Sequence, residues 1–118
     1  MALFAERKDL THKARMTTFS ERVVKLALSV PKGRVTTYGA IAKAAGGGGM
    51  ASRSVTGILE KAWNNGEHAI PFHRIVYSDG SIWVSSRYHA KRMKLYKTEG
   101  IVVEKGRIKN FADVLFEF

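Results

Sequence analysis

The chain has 118 residues, 45% hydrophobic and 10% aromatic, a composition that predicts one globular domain and excludes a disordered chain. It has no cysteine, which excludes disulfide bonds, cysteine-ligated metals and a cysteine nucleophile. The net charge of +10 favours an acidic partner, with nucleic acid first and an anionic membrane second. No apolar run is as long as a membrane span and no secretory signal is evident, so we expect a cytoplasmic protein with no membrane partner.

The N-terminal part divides into an arm and the start of a domain. Residues 1–16 are rich in lysine and arginine and are predicted to form a basic N-terminal arm, in the simplest interpretation a solvated leader. The domain is expected to cover residues 17–118. Its first helix begins at Thr18, because Thr18 and Glu21 have the spacing of a capping box. Pro31 and Gly33 end this helix and turn the chain.

Two short helices follow, separated by four glycines. The first is predicted from about residue 38 to 45 with Thr37 as its cap, and the second from about 52 to 63. The second has a buried stripe of Val55, Ile58, Leu59 and Ala62, and an opposite face of Ser52, Arg53, Thr56 and Gly57. This arrangement is typical of a helix-turn-helix, although many helical pairs share it.

Two residues on that opposite face have alternative interpretations. Gly57 lowers the stability of a helix by about 1 kcal/mol relative to alanine. One reason for a glycine here is that another backbone approaches the helix closely at this position. Either a DNA strand or a neighbouring segment of the protein would explain it equally well. Arg53 is either a groove-inserting residue or an ordinary surface arginine.

The second half of the chain alternates short strands with one basic helix. We predict a strand over residues 72–77, a turn at 78–81, a short strand at 82–84 and a hairpin around Lys105 and Gly106. A helix is predicted over 86–98 with Ser86 as its cap, and its five cations favour phosphate contact as much as a solvated face. The tail from 111 to 118 is expected to pack back on the domain. The fold class is therefore mainly α with short strands, a winged-helix-like helix-turn-helix domain.

Catalytic chemistry finds little support in the sequence. The chain has no HExxH, P-loop or GxSxG motif, and its four histidines lack metal-ligand spacing, so we expect no metal and no cofactor. His73 lies in an apolar segment and is predicted to be a hydrogen-bonded core histidine. With Glu99 it could form a base and its orienting partner, but Phe72 stands where a nucleophile would be needed.

Five segments of the chain form a distinctive set. They are residues 30–39 (VPKGRVTTYG), 51–57 (ASRSVTG), 71–76 (PFHRIV), 78–80 (SDG) and 99–100 (EG). In this order and near this spacing they resemble the C-terminal DNA-binding and active-site domain of O6-alkylguanine-DNA alkyltransferases. The family's Pro-Cys-His-Arg motif stands here as Pro71-Phe72-His73-Arg74. The chain is therefore similar to the alkyltransferase-like proteins, which lack the cysteine and bind alkylated guanines without repairing them.

The resemblance implies roles for individual residues. Arg53 matches the arginine that enters the duplex through the minor groove and replaces an extruded base, and Tyr38 matches the tyrosine that presses on the adjacent phosphate. The implied DNA-binding surface consists of Thr37, Tyr38, Ser52, Arg53, Thr56 and Gly57. Asn64 or Asn65 matches an asparagine hinge below the reactive loop. The implied lesion pocket contains Asn65, Pro71, Phe72, Trp83, Val84, Ser85 and Ser86.

The same resemblance implies a function and leaves an alternative. His73 and Glu99 match the family's proton relay and, with no thiol to activate, are expected to remain as structure. The implied partner is double-stranded DNA with an alkylated guanine, bound by a monomer that passes the lesion to nucleotide excision repair proteins. The family's Asn-Tyr-Ser-Gly loop reads 84–87 (VSSR) here, and Trp83 stands where a small residue is expected. These departures favour the alternative of a general DNA-binding module without lesion selectivity, whereas an active alkyltransferase is unsupported without a cysteine.

Overall fold

The computed structural model describes residues 18–47, 51–82 and 88–118. The predicted basic arm, the last two glycines of the four-glycine run and the predicted pocket residues Trp83, Val84, Ser85 and Ser86 lie outside the described residues. The described elements are α1 (Phe19–Leu28), β1 (Thr36–Thr37), α2 (Tyr38–Ala44), α3 (Ser52–Asn64), a 3₁₀ helix (Phe72–Arg74), β2 (Ile75–Val76), α4 (His89–Thr98), β3 (Val103–Glu104), β4 (Arg107–Ile108) and α5 (Phe111–Val114). The predicted fold class, mainly helical with short strands, is confirmed.

Helix α1 begins with the predicted capping box. The Thr18 hydroxyl accepts a hydrogen bond from the Glu21 backbone N–H at 3.1 Å, and the Glu21 carboxylate accepts one from the Thr18 N–H at 3.3 Å. These bonds satisfy backbone donors that the first turn of a helix leaves unpaired. Val23 and Ala27 of α1 are fully buried against α2 and α3, where Ile41, Val55 and Leu59 are further members of the first core cluster, which also includes Ile75.

The turn between α2 and α3 uses its glycines for two different purposes. Gly46 has a φ of +92°, which ends α2 in the left-handed conformation that glycine adopts without a steric penalty. The Gly46 N–H donates to the Lys43 carbonyl and the Gly47 N–H to the Ala42 carbonyl, the paired bonds of a Schellman motif. A Cβ added at Gly47 would lie 2.5 Å from the Ala51 Cβ and 2.8 Å from the Phe19 ring. The close packing of α1 against the turn therefore requires glycine at this position.

The predicted strand over residues 72–77 is wrong in its first half. A 3₁₀ turn occupies Phe72–Arg74, closed by the Arg74 N–H donating to the Pro71 carbonyl at 2.9 Å, and only Ile75–Val76 forms a strand. The physical reason is that side chains on a strand alternate between two faces. Here the consecutive residues from Ile70 to Arg74 all border one cavity, which a turn permits and a strand does not.

Short strands connect the helical half to a second core cluster. Strands β1 and β2 are parallel, with Thr36 opposite Ile75 and Thr37 opposite Val76. Strands β3 and β4 form the predicted hairpin, in which Lys105 (φ 53°) and Gly106 (φ 76°) have the positive φ angles of a type I′ turn. The second cluster contains Val35, Val76, Ile82, Tyr96, Ile101, Ile108 and Val114. The tail packs back as predicted, because the Val35 N–H donates to the Val114 carbonyl at 2.9 Å.

Helix α4 begins later than the sequence predicted. Its first residue is His89 and its cap position is Tyr88, which makes no side-chain capping bond, while the predicted cap Ser86 lies outside the described residues. Gly100, with a φ of +76°, follows the end of α4 as expected. None of the helices in the described part of the chain is long and apolar enough to cross a membrane.

Candidate nucleic-acid interface

The exposed face of α3 carries the side chains that the sequence assigned to DNA. Val55 and Leu59 are fully buried, whereas Arg53, Thr56 and Gly57 are exposed and Ser52 is half-buried. The helical period thus separates a core face from a face of small polar residues around one arginine.

Gly57 has no packing role within the described part of the protein. A Cβ built on this residue would meet no atom within 4 Å. Of the two explanations for a glycine here, packing against a neighbouring protein segment therefore has no support in residues 18–47, 51–82 and 88–118. Close approach of another molecule to Gly57 stays a prediction.

Tyr38 lies beside this face because of how α2 begins. Thr37 caps α2, its hydroxyl accepting a hydrogen bond from the Ala40 N–H at 3.0 Å, so that Tyr38 is the first helical residue. The Tyr38 side chain is half-buried and packs against the first core cluster, to which α3 contributes Val55 and Leu59. Burial and the neighbouring Tyr77 raise the pKa of Tyr38, which keeps its hydroxyl protonated and able to donate. The structure thus places Thr37 and Tyr38 at the start of α2, where Tyr38 packs on the core shared with α3.

A cavity of about 580 Å³ lies between the C-terminal half of α3 and α4. This volume falls within the range of roughly 300–1,000 Å³ that is usual for small-molecule sites. Helix α3 contributes Glu60, Trp63 and Asn64 to its lining, the following loop His68, Ala69, Ile70, Pro71, Phe72, His73 and Arg74, and the segment at α4 Tyr88, Lys91, Arg92 and Leu95. The predicted pocket residues Pro71 and Phe72 are therefore at the cavity.

The predicted pocket residue Asn65 does not line this cavity, whereas its neighbour Asn64 does. Asn65 is the C-cap of α3, and its N–H donates to the carbonyls of Lys61 and Ala62. Successive residues of a helix are rotated by about 100° around its axis, so a shift of one residue turns the side chain away from the cavity. The hinge role of either asparagine stays a prediction, and the cavity lining favours Asn64.

Aromatic rings form one wall of the cavity. The Trp63 ring lies 5.5 Å from the Phe72 ring in an edge-to-face arrangement and 4.7 Å from the His68 ring, measured between centroids. These are separations at which aromatic pairs attract each other. Phe72 is half-buried and packs against the first core cluster, so its position is fixed by the fold.

His73 and Glu99 are brought together as the sequence predicted, in a network that also contains Arg74. Glu99 Oε2 lies 2.8 Å from His73 Nε2 and 2.8 Å from Arg74 Nη2, and Glu99 Oε1 accepts from Arg74 Nε at 3.0 Å. The Gly33 N–H donates to Glu99 Oε1 at 3.1 Å, and Arg74 Nη1 donates to the Val30 carbonyl at 3.0 Å. The Glu99 side chain is 6% exposed and the Arg74 side chain 14%, so this is a largely buried ion pair with additional hydrogen bonds.

The protonation states in this network follow from its geometry. Burial alone would raise the pKa of Glu99, but hydrogen bonds from Arg74, His73 and Gly33 lower it to about 2. Burial lowers the pKa of His73 below its ordinary value of 6.5, against the opposing effect of Glu99. An ionised carboxylate only accepts hydrogen bonds, so His73 Nε2 carries the proton and donates it to Glu99. The ion pair is therefore Arg74 with Glu99, and His73 is a neutral hydrogen-bond donor.

Sequence reasoning missed most of the cavity wall. Glu60 and Asn64 follow Arg53, Thr56 and Gly57 at intervals of three and four residues, so the helical period already placed them on the same face of α3. Trp63 and the α4 residues carried no such signal, because their approach to Phe72 depends on tertiary packing. Among residues 18–47, 51–82 and 88–118, no three acidic or histidine side chains cluster as metal ligands would.

The sequence matches one protein-family model over most of its length. Residues 18–101 match the model of the 6-O-methylguanine DNA methyltransferase DNA-binding domain. A protein of Escherichia coli named DNA base-flipping protein is 33% identical over 86 residues. The match covers 73% of this chain and 64% of that protein, so this chain spans less than two thirds of its relative's length.

Solved structures from Schizosaccharomyces pombe share the fold. Atl1 in complex with damaged DNA containing O6-carboxymethylguanine superposes with a TM-score of 0.69 at 23% identity, covering 85% of this chain and 95% of that one. A structure of S. pombe ATL in complex with DNA gives a TM-score of 0.66 at 25% identity with the same coverage. Because the family model covers more than half of its residues, this chain belongs to the family of the 6-O-methylguanine DNA methyltransferase DNA-binding domain.

Proposed function

We propose that this protein binds double-stranded DNA containing an O6-alkylguanine from the minor groove, extrudes the alkylated base into the cavity and leaves its alkyl group in place. The observation that carries the proposal is the position of the cavity. It opens beside the face of α3 that presents Arg53, Thr56 and Gly57, and its opposite side is the basic helix α4. A base rotated out of a duplex that contacts α3 has this space within reach.

The exposed residues of the helix-turn-helix supply the energy for extrusion in this proposal. Rotating a base out of the stack costs a few kcal/mol, and less for a badly paired, damaged base. Arg53 would enter the stack and occupy the vacated position, as inserted side chains do in other minor-groove proteins. Tyr38 would press on the adjacent phosphate with its protonated hydroxyl, and the absence of a side chain at Gly57 would let the DNA backbone approach α3 closely.

Discrimination of the lesion is assigned to the aromatic wall. An O6-alkyl group is apolar next to the guanine edge, so an apolar surface at that point stabilises the alkylated base more than guanine. Phe72 stands at the position of the family's cysteine and is backed by Trp63 at 5.5 Å. We assign to Phe72 the contact with the alkyl group.

Alkyl transfer is excluded from the proposal on chemical grounds. The chain has no cysteine that could accept an alkyl group irreversibly. The Nε2–H of His73 is hydrogen-bonded to Glu99, whose carboxylate is also bonded to Arg74, an arrangement that suits a structural role. Mass spectrometry of the protein after incubation with alkylated duplex should show no gain of an alkyl mass, whereas a gain would contradict the non-enzymatic proposal.

The deciding experiment is competition binding at fixed salt. It compares a short duplex carrying one O6-methylguanine with the same duplex carrying guanine, for the wild type, Arg53→Ala and Lys25→Ala. Lys25→Ala removes the same unit of charge from an exposed site on α1 and is the matched control. We expect the wild type to prefer the alkylated duplex, Arg53→Ala to lose most of that preference and Lys25→Ala to keep it. Equal affinity of the wild type for both duplexes would leave a general DNA-binding module without lesion selectivity.

The fate of the bound lesion completes the proposal. Because the alkyl group stays on the base, removal of the lesion requires another activity, and we propose that the complex marks it for nucleotide excision repair proteins. Incision of an alkylated plasmid by a reconstituted excision nuclease should increase when the protein is added and should not increase with Arg53→Ala.

We propose that the protein is a monomer, because a single inserted arginine needs no two-fold symmetry. Light scattering on the free and the DNA-bound protein tests this oligomeric state.

A further inference from the structure

Tyr77 is an exposed aromatic residue placed beside Tyr38 by strand register. It directly follows β2, and 43% of its side chain is exposed although Val76 before it is fully buried. Thr37 of β1 lies opposite Val76 of β2 in the parallel pair. The residues that follow these two, Tyr38 and Tyr77, therefore lie side by side. Their ring centroids are 5.6 Å apart and the rings are inclined at 43°. An exposed tyrosine therefore adjoins a residue of the proposed DNA surface.

The backbone holds Tyr77 in this position. Its N–H donates to the Ser81 carbonyl at 3.0 Å, and its carbonyl accepts from the Gly80 N–H at 2.9 Å. The turn between them is closed by Asp79, whose carboxylate accepts from the Ser81 N–H at 2.9 Å and the Ser81 hydroxyl at 2.6 Å. Because both polar backbone groups of Tyr77 are bonded, little backbone ordering remains to be done when its ring meets a partner.

The chemistry around the two rings suits a phosphodiester backbone. The pKa of Tyr38 is raised by burial and next by Tyr77, and the positive charge of Arg92 acts on the same hydroxyl in the opposite direction. Two phenol rings thus lie side by side at the edge of the helix-turn-helix, where the positive charge of Arg92 and the negative charge of Glu60 both act on the Tyr38 hydroxyl. Tyrosine hydroxyls and arginines are among the groups that proteins use to contact phosphate and sugar.

We propose that Tyr77 is a second DNA-contacting tyrosine, which together with Tyr38 forms a two-ring surface against the sugar-phosphate backbone next to the extruded nucleotide. The inference rests on the proposed function, which gives the path of the DNA strand along the protein. It extends the DNA contact beyond α2 and α3 to the turn after β2. Tyr38 alone would present one ring edge to the backbone, whereas the pair presents a continuous aromatic surface with two hydroxyls.

The test measures affinity for the alkylated and the plain duplex at fixed salt, with the full chain carrying Tyr77→Ala, Tyr77→Phe or Phe118→Ala. Phe118 is the control because its ring is similarly exposed, at 46%, and pairs with Phe116 in the C-terminal tail. We expect Tyr77→Ala to weaken binding to both duplexes by roughly 5- to 30-fold, the loss of one good polar or stacking contact. Tyr77→Phe should lose less, and Phe118→Ala should bind as the wild type does.

The outcomes separate this inference from the proposed function. If the wild type prefers the alkylated duplex and Tyr77→Ala binds both duplexes as the wild type does, the Tyr77 contact is overturned and the proposed function stands. If the wild type shows no preference, the proposed function fails, while a weaker affinity of Tyr77→Ala for plain duplex still supports the contact and an unchanged affinity overturns it. Should Tyr77→Ala unfold, 3-fluorotyrosine incorporated at position 77 gives a ¹⁹F resonance. That resonance should shift when duplex binds, and an unmoved resonance overturns the inference.

Discussion

Replacing Gly57 by alanine should make the protein more stable and its DNA binding weaker. Gly57 lies inside α3, with five helical residues before it and seven after it, and it is exposed. Its backbone is not in the left-handed region, so alanine meets no conformational penalty. A Cβ at this position would meet no atom of the described protein within 4 Å. Nothing in the described fold therefore opposes the substitution.

The expected gain in stability is that of alanine over glycine in an exposed helix. This difference is about 1 kcal/mol in the free energy of unfolding. For a domain near this size, a gain of that magnitude raises the Tm by about 4 °C. The added methyl group would meanwhile stand where the proposed complex brings the DNA backbone against α3. Forcing a methyl group into a close contact costs about 1–3 kcal/mol, and a cost of about 1.4 kcal/mol weakens affinity tenfold.

Urea unfolding and DNA affinity, measured on the same preparations, test both halves of this reasoning. Gly57→Gln extends the series, because glutamine is also a good helix former and its side chain is longer. We expect both variants to unfold at higher urea concentration than the wild type, with Gly57→Gln losing more DNA affinity than Gly57→Ala. A destabilised Gly57→Ala would refute the open environment of this residue. A stabilised variant with wild-type affinity would instead refute the close approach of DNA.

Four further predictions concern the buried network and the cavity. Glu99→Gln should lower the free energy of unfolding by about 3–5 kcal/mol in urea titration, because it leaves the buried Arg74 guanidinium without its counter-charge; a loss below 1 kcal/mol would contradict that role. The urea midpoint should fall as the pH drops below 6.5 and fall further from 4.5 towards 2. The reason is that the pKa values of His73 and Glu99 are lower in the folded than in the unfolded chain, so the unfolded chain binds protons first as the pH falls. A urea midpoint unchanged between pH 7.5 and pH 4 would disprove this pH dependence. Tyr96→Phe should stabilise the protein by about 1 kcal/mol in thermal unfolding. The reason is that the buried Tyr96 hydroxyl has no hydrogen-bond partner within residues 18–47, 51–82 and 88–118. A loss of stability would show that this hydroxyl is hydrogen-bonded. Phe72→Ala should reduce the preference for O6-methylguanine over guanine in competition binding, and an unchanged preference would show that another residue contacts the alkyl group.

Local signals in the sequence predicted the helical half of the fold well. Thr18 with Glu21 marked the start of α1, and the spacing of Val55 and Leu59 identified the buried face of α3. These features depend on hydrogen bonds and side-chain periods within a few residues, so they can be read without knowing the rest of the chain. The glycines after α2 predicted a break, but not that Gly46 would supply the left-handed angle and Gly47 the close packing against α1.

Features set by distant residues were the ones that local patterns misassigned. The apolar run at 72–77 has the composition of a strand, yet its first half turns so that Arg74 reaches both Glu99 and the Val30 carbonyl. The choice between Asn64 and Asn65 required the direction of the cavity relative to the end of α3. Pairing of Tyr38 with Tyr77 required the parallel register of β1 and β2, which residues nearly 40 positions apart determine.

The network around Glu99 gives a physical reason why a chain without cysteine would retain Glu99, Arg74 and His73. Glu99 and Arg74 tie together the turn after α1, the segment after Pro71 and the end of α4, three segments distant in sequence. Ile75 belongs to the first core cluster and Val76 to the second, so the ion pair lies at the seam between the two. Removing one partner would leave a buried charge unpaired, which is strongly destabilising. Phe72 makes no bond in this network, so its side chain can change without disturbing it. The chemistry of position 72 can thus change without removing the ion pair that joins the two core clusters.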